Sequence, residues 1–290
     1  VTLAAWANAL APTAQPVLGL YTDANSTTGI DTLASTLGVK VRGYSFYVAG
    51  GTWSSISNPW SGTATGQPPT LGAGQIVLLS VPLTPNNTGL SSVPSNLSTF
   101  RTLATNLVGT PTIVRLGWEF DGNWFPWGNG VGTNTAAQYV TAWQDVIPAM
   151  RANNAELTFD WSANIGTSNL TQLETFYPGD FYVDYIGGDY YDNNGSGGNT
   201  ASNYGPVVNL ANARGKPLST GEWGLNGTDD PTFINNMAQL FLRPQAAAAR
   251  YGWPAYSVAY QSYFSFDGSN INSDITQFPN AKAAYTADFG

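Results

Sequence analysis

The sequence predicts an α/β fold in which eight parallel strands close into a (β/α)8 TIM barrel, a single domain over residues 1–290. Three observations carry this expectation. Short runs rich in β-branched or aromatic residues recur at 17–21, 40–45, 76–83, 112–119, 157–163, 182–189, 217–222 and 255–264, each bounded by Gly, Pro, Asn or Asp. Helix-like or turn-rich segments separate these runs along the whole chain, the alternation expected of a parallel sheet. No Gly-rich phosphate loop follows the first run, which disfavours the runner-up, an open doubly wound sheet.

The elements follow in order. After the second run, residues 52–74 carry Pro59, Pro68 and Pro69 among many Ser, Thr and Gly, and read as a long loop in place of a helix. The clearest helix follows the fourth run, where Tyr139, Trp143, Val146 and Met150 recur at steps of four, three and four and mark one apolar face. Pro148 is expected to bend its last turn. Residues 193–199 after the sixth run read as a loop, and Asp192-Asn193-Asn194-Gly195 as a turn; a calcium loop would need a following Glu at the usual spacing. Both loops belong on the face where barrel active sites sit. Another helix starts at Asp230-Pro231, with Asp as N-cap, Pro in its first position and Phe233, Met237 and Leu240 facing inward.

Composition narrows the chemistry. Hydrophobic residues make up 42% of the chain, enough for a sizeable core, and charged residues only 10%, against about 25% in ordinary soluble proteins. With no Cys and no His, thiolate nucleophiles, Cys or His metal sites, Ser-His-Asp triads and imidazole bases are excluded. Acid–base work falls to carboxylates, Tyr or Lys. A net charge of −8 disfavours nucleic acid and anionic membranes as partners. No stretch approaches the roughly 20 apolar residues of a membrane span. The opening Val1-Thr2-Leu3 lacks an initiator Met, which gives the expectation of a removed export signal and a secreted, extracellular protein. Asn-x-Ser/Thr sequons begin at Asn25, Asn86, Asn96, Asn169, Asn194 and Asn226, and chance accounts for most of them in so Asn-, Ser- and Thr-rich a chain. No cofactor and no metal are implied, and a monomer is expected.

Two carboxylates stand out. Glu119 ends the fourth run, and period-two alternation would put Arg115, Gly117 and Glu119 on one inward face with Arg115 below Glu119. Charges inside a barrel are costly without function or pairing; a plain Arg–Glu salt bridge that closes the barrel is the less favoured alternative. Directly beyond Glu119 come Asn123, Trp124, Phe125 and Trp127. Aromatic faces there suit the C–H faces of sugar rings. For Trp124 the platform and the loop-anchor readings weigh evenly, whereas Trp127 leans to the platform. Glu222 ends the seventh run, before Trp223. The tips of strands four and seven face one another across a barrel mouth, as glycoside hydrolysis requires of its two carboxylates. Glu156, at the opposite face, and Glu174, in a helix-like stretch, do not compete.

At these residues the sequence resembles a known family. Arg115-Leu-Gly-Trp-Glu119-Phe-Asp-Gly-Asn-Trp124-Phe-Pro-Trp127-Gly resembles the acid/base motif of glycoside hydrolase family 26, a retaining barrel group of β-mannanases and related endo-β-glycanases. Trp161-Ser-Ala-Asn164, the run from Tyr177 through Asp189 to Tyr191, and Gly221-Glu222-Trp223-Gly224 match later motifs in the family's order, over roughly residues 110 to 225. The resemblance implies that Glu119 is the acid/base and Glu222 the nucleophile of a double displacement on a β-linked polysaccharide such as β-mannan. It implies that Tyr191, or Tyr190 if the register differs, hydrogen-bonds Glu222. Arg115, Trp118, Asn123, Asp189 and Trp223 would join the substrate site, Trp161 and Asn164 would line the cleft, and Tyr263 or Phe264 would floor the cleavage subsite; barrel-mouth packing competes for each. One position departs: Trp118 stands where the family usually has His. The glycan therefore stays open among mannan, β-1,3-xylan, mixed-linkage or β-1,4-glucan and a cell-wall glycan. An inverting mechanism would need carboxyl groups about 6.5–9.5 Å apart rather than about 5–5.5 Å. A barrel that only binds carbohydrate would have lost one Glu, and both are present.

Overall fold

A computed structural model describes residues 15–165, 170–193, 195 and 200–290. The opening Val1-Thr2-Leu3, two of the sequons (Asn169 and Asn194) and residues 196–199 of the loop after the sixth strand lie outside the described residues.

Eight parallel strands close into one barrel in sequential order. They are β1 (Val17–Thr22), β2 (Gly43–Tyr47), β3 (Ile76–Val81), β4 (Thr112–Leu116), β5 (Thr158–Asn164), β6 (Tyr185–Asp192), β7 (Leu218–Leu225) and β8 (Val258–Ser265), with β8 paired back onto β1. The helices α1 (Thr27–Leu37), α2 (Trp53–Ser57), α3 (Leu97–Asn106), α4 (Ala136–Arg151), α5 (Thr200–Arg214), α6 (Pro231–Leu242), α7 (Pro244–Tyr251) and α8 (Pro279–Phe289) lie in the connections. No helix among the described residues is long and apolar enough to cross a membrane.

Helix boundaries follow local chemistry. In α4 the Thr135 side chain accepts from the Gln138 N–H while the Gln138 side chain accepts from the Thr135 N–H, a capping box, and the buried face carries Tyr139, Trp143, Val146 and Met150. Pro148 lies inside its last turn, and the helix continues to Arg151. Asp230 caps α6 through the N–H groups of Thr232 and Phe233, with Pro231 in the first turn. Residues 52–74 hold the five-residue helix α2 at their start, capped by Thr52, so this connection is not loop throughout.

Inside the barrel, polarity rises toward the strand C-termini. The lowest layer is apolar: Val17, Ile76, Leu78, Ile113, Tyr185 and Tyr260 form a separate buried cluster. Above it Asp160 accepts from Ser219 Oγ and Tyr260 OH, both at 2.5 Å, and Ser45 meets Ser262 at 2.6 Å. Burial pushes the Asp160 carboxyl above its ordinary value. One period further up stand Ser80, Arg115, Ser162 and Asp189, and the candidate chemistry sits on that layer.

Candidate active site

The chain makes an abrupt turn to present Glu119. β4 ends at Leu116, and Gly117 and Glu119 both take left-handed backbone, at φ +54° and +49°. The alternation expected to place Glu119 over Arg115 therefore stops before Glu119 is reached, and the residue is aimed by the turn rather than by strand pleat. Glutamate in that conformation carries strain of about 1–3 kcal/mol and needs surroundings that over-determine it. They are present. Tyr139 OH donates to the Gly117 carbonyl at 3.1 Å, Trp127 Nε1 to the Trp118 carbonyl at 2.8 Å, and Gly122 N–H to the Glu119 carbonyl at 3.1 Å. The Glu119 N–H itself donates to the Ser162 carbonyl on β5 at 2.8 Å.

The Glu119 side chain is buried and accepts two uncharged donors, Asn164 Nδ2 at Oε1 and Trp124 Nε1 at Oε2, each at 2.7 Å. Burial, and next the charge of Glu222, push its pKa up to about 7 from 4.5, while those two hydrogen bonds and Arg115 pull the other way. A carboxyl so placed holds its proton near neutral pH, as a general acid must.

Glu222 is delivered by β7. Ser219 points inward, so simple alternation would send Gly221 inward and Glu222 out. Pairing with β8 shifts register between Thr220 and Trp223, and this irregularity turns Glu222 into the barrel and Trp223 outward. Glu222 Oε1 accepts from Tyr191 OH at 2.6 Å; Oε2 accepts from Tyr47 OH at 2.5 Å and from Arg115 Nη1 at 3.2 Å. Arg115 is also paired with Asp189, which accepts from Ser162 Oγ at 3.1 Å. Gly221 permits this: a Cβ there would lie 2.5 Å from Arg115 Cδ and 2.6 Å from its Nε. One carboxylate oxygen from each of Glu119, Asp189 and Glu222 lies within 4.8 Å of the others.

The remaining expected site residues divide by strand parity. Arg115, Asp189, Asn164 and Tyr191 face the barrel interior beside the two carboxylates, though Arg115 and Asp189 are too deeply buried to meet substrate directly. Trp161, Tyr190, Trp223 and Tyr263 correct the expectation: all four are buried and point outward, against the helices. Trp161 packs on Phe120, and Tyr190 receives Asn203 Nδ2 at 3.0 Å. Trp223 donates to Gln261 Oε1 at 2.6 Å, and Tyr263 donates to the Ser273 carbonyl at 2.9 Å. Each follows an inward neighbour by one residue, so the pleat, and at β7 the register shift, turns it away. Phe264, next to Tyr263, faces the mouth and stacks on Tyr21 at 4.4 Å. Trp127 also corrects the expectation, since it is 3% exposed and anchors its loop. Trp124 is 48% exposed with its Nε1 on Glu119, and Asn123 beside it is exposed. Trp118 is buried between Tyr47, Phe125 and Trp127.

Sequence reasoning missed Tyr47, Ser80, Asp121, Asp160 and Ser162. Asp121 accepts the Asn164 N–H at 2.9 Å and so places the amide that reaches Glu119. Tyr47 was legible in principle, because it continues the inward series Gly43, Ser45 past the expected end of the second strand.

A closed eight-stranded parallel barrel with two glutamates meeting at the C-terminal mouth, one desolvated and one ion-paired, defines the glycosidase class of barrel proteins. The family model of glycosyl hydrolase family 26 matches residues 88–251, and the chain belongs to that family. It is 35% identical over 79 residues to endoglucanase H of Acetivibrio thermocellus, a match covering 26% of this chain and 9% of that protein. It is 25% identical over 195 residues to the mannan endo-1,4-beta-mannosidase of Bifidobacterium adolescentis, covering 59% of this chain and 19% of that protein. The chain thus spans only a small part of either relative's length. The catalytic domain of a Bacillus sp. JAMB-750 endo-beta-1,4-mannanase superposes with a TM-score of 0.66 at 20% identity, over 99% of this chain and 90% of that one, and shares its fold.

Proposed function

We propose that the protein is a retaining endo-β-glycosidase that cleaves a β-linked polysaccharide by double displacement, with Glu119 as acid/base and Glu222 as nucleophile. The observation that carries this is the short distance between their carboxylates, within 4.8 Å oxygen to oxygen, together with their opposite surroundings. That proximity supports direct attack by Glu222 on an anomeric carbon held between the two carboxyls, as in a retaining site. In the first step Glu222 attacks the anomeric carbon as the Glu119 proton passes to the departing oxygen. In the second, Glu119 takes a proton from water, which attacks the same carbon and releases Glu222.

β-Mannan is the first substrate to try, since the relative from Bifidobacterium adolescentis is a mannan endo-1,4-beta-mannosidase and the similar Bacillus sp. structure is that of an endo-beta-1,4-mannanase. A β-glucan is the second reading, favoured by the higher identity to endoglucanase H and by Trp118 in place of His. Cleavage within the chain is supported by the half-exposed Trp124, which borders a groove of about 580 Å³ lined also by Asn87, Thr88, Phe125 and Thr133. Secretion and a monomeric state belong to the same proposal, as a polysaccharide is met outside the cell.

Incubation with mannan, β-1,4-glucan, mixed-linkage glucan and β-1,3-xylan, followed by product sizing, tests the substrate and endo action. Proton NMR of the first-formed reducing end tests the mechanism. Release of β-anomer oligosaccharides is expected; the α-anomer first would sink the retaining mechanism, and monosaccharide alone would sink endo cleavage.

A further inference from the structure

The nucleophile candidate carries one phenol on each oxygen. Tyr191 from β6 donates to Oε1 at 2.6 Å and Tyr47 from β2 donates to Oε2 at 2.5 Å. Arg115 does not make Tyr47 redundant. Its Nη1 has two hydrogens but faces three acceptors: Ser80 Oγ at 3.0 Å, Glu222 Oε2 at 3.2 Å and Tyr47 OH at 3.3 Å. At most two of these bonds are good at once, whereas the phenol proton of Tyr47 has one acceptor in line. A guanidinium hydrogen shared with the phenol oxygen polarises the O–H further toward Glu222.

The phenol ring is also fixed. Tyr47 sets edge contacts on Tyr21 at 5.0 Å, Trp118 at 5.4 Å and Phe264 at 5.8 Å, with interplanar angles of 77°, 76° and 79°. Tyr21 and Phe264 stack on each other at 4.4 Å, so these walls brace one another. Trp118 also lies against the Arg115 guanidinium, 5.3 Å from its centre. A single indole thus backs both donors to Glu222 Oε2.

We propose that Tyr47 is a positioning residue for Glu222, a second phenol that fixes Oε2 as Tyr191 fixes Oε1, and that Trp118 holds this phenol and Arg115 in place. The assignment rests on Glu222 acting as nucleophile. With both oxygens tied by donors from three strands, the plane of the carboxylate is set before substrate arrives. The indole at position 118 thereby has a use of its own in this chain: it secures the carboxylate from behind.

Tyr47→Phe keeps the ring and removes only the donor. In protein labelled with ¹³C at the glutamate carboxyls, the Glu222 resonance at fixed pH is expected to move away from its wild-type position, because Oε2 has lost a donor. kcat should be about ten-fold lower and KM little changed. Trp118→Phe, which keeps an aromatic but shortens the wall, should move the resonance in the same direction and lower kcat by less. A folded Tyr47→Phe protein whose Glu222 resonance and kcat match the wild type would overturn the assignment, as would Trp118→Phe moving only KM. The carbon signal needs no turnover. A wild type inactive on every β-glycan would therefore remove the glycosidase reading, while the resonance would still decide whether Tyr47 governs Glu222.

Discussion

Glu119 and Glu222 stand within 4.8 Å of one another, yet they are held by different chemistry. Glu119 accepts one amide and one indole N–H and, among the described residues, carries no direct ion pair, so burial dominates and its proton is retained to about pH 7. Glu222 accepts two phenols and a guanidinium, donors that aim the carboxylate from three strands. The backbones differ as well: one carboxyl is delivered by a strained left-handed turn after β4, the other by a register shift within β7. On the roles proposed above, the same side chain would serve as acid or as nucleophile according to which strand tip presents it and which donors surround it.

The largest test of that division is removal of each carboxylate. Glu222→Ala should lower hydrolysis of every glycoside by about four orders of magnitude or more. Glu119→Ala should lower polysaccharide hydrolysis by about 10²–10⁴-fold. On a dinitrophenyl glycoside, whose leaving group needs no proton, the first step of Glu119→Ala should survive as a burst. Equal losses on both substrates in both variants would erase the distinction between the two roles.

A smaller loss is expected where the Glu222 side depends on a close approach. Gly221→Ala places a Cβ against Arg115 Cδ and Nε, and the guanidinium must shift away from Glu222 and Asp189. Overpacking of this kind costs about 1–3 kcal/mol. Activity should fall roughly ten- to hundred-fold if the displaced donor is lost only in part. Thermal unfolding and kcat on the same preparation separate the two effects.

Stability should respond to the two glutamates with opposite sign. Glu119 is raised to about 7 from 4.5, so the folded chain binds this proton more tightly than the unfolded one. Its contribution is complete below about pH 4.5 and is lost as pH climbs through about 7, a swing of up to about 3 kcal/mol. Glu119→Gln removes the buried charge, and Asn164 can turn its amide to suit, so at pH 8 this variant should be more stable than wild type by about 1–3 kcal/mol. Glu222→Gln takes a partner from Arg115 and should lose about 1–3 kcal/mol at the same pH. Denaturant melts of the three proteins at pH 8 and pH 5 check both signs.

How much of this was legible in the sequence depends on pleat. Strand runs, their order and the two glutamates could be read because apolar periodicity and barrel topology are strong, repetitive signals. Trp161, Tyr190 and Tyr263 stand at strand tips, which by sequence position belong to the mouth, yet each sits one residue from an inward partner (Asp160 or Ser162, Tyr191, Phe264) and strand parity alone sends it outward. Glu222 shows the converse, since parity from Ser219 would have pointed it away, and only the register shift against β8 brings it in. Such a shift leaves no mark in a string of residues. Nor does the positive φ at Glu119, which a sequence suggests only at glycine. Tyr47 escaped for a simpler reason: its partner Glu222 lies 175 residues away, and no local spacing links them.

The finest distinction concerns the basic limb of the pH profile. Hydrolysis should fall as pH rises through about 7, where Glu119 gives up its proton. Asn164 Nδ2 and Trp124 Nε1 stabilise the ionised form and so hold this limb lower than burial alone would set it. Asn164→Ala should therefore move the basic limb upward by about one unit or less. Trp124→Phe should move the basic limb likewise, and should also raise KM if the half-exposed indole meets the sugar chain. A basic limb that stayed fixed in both variants would mean that burial and the nearby Glu222 charge alone set the acid, with its two N–H donors serving only to aim it.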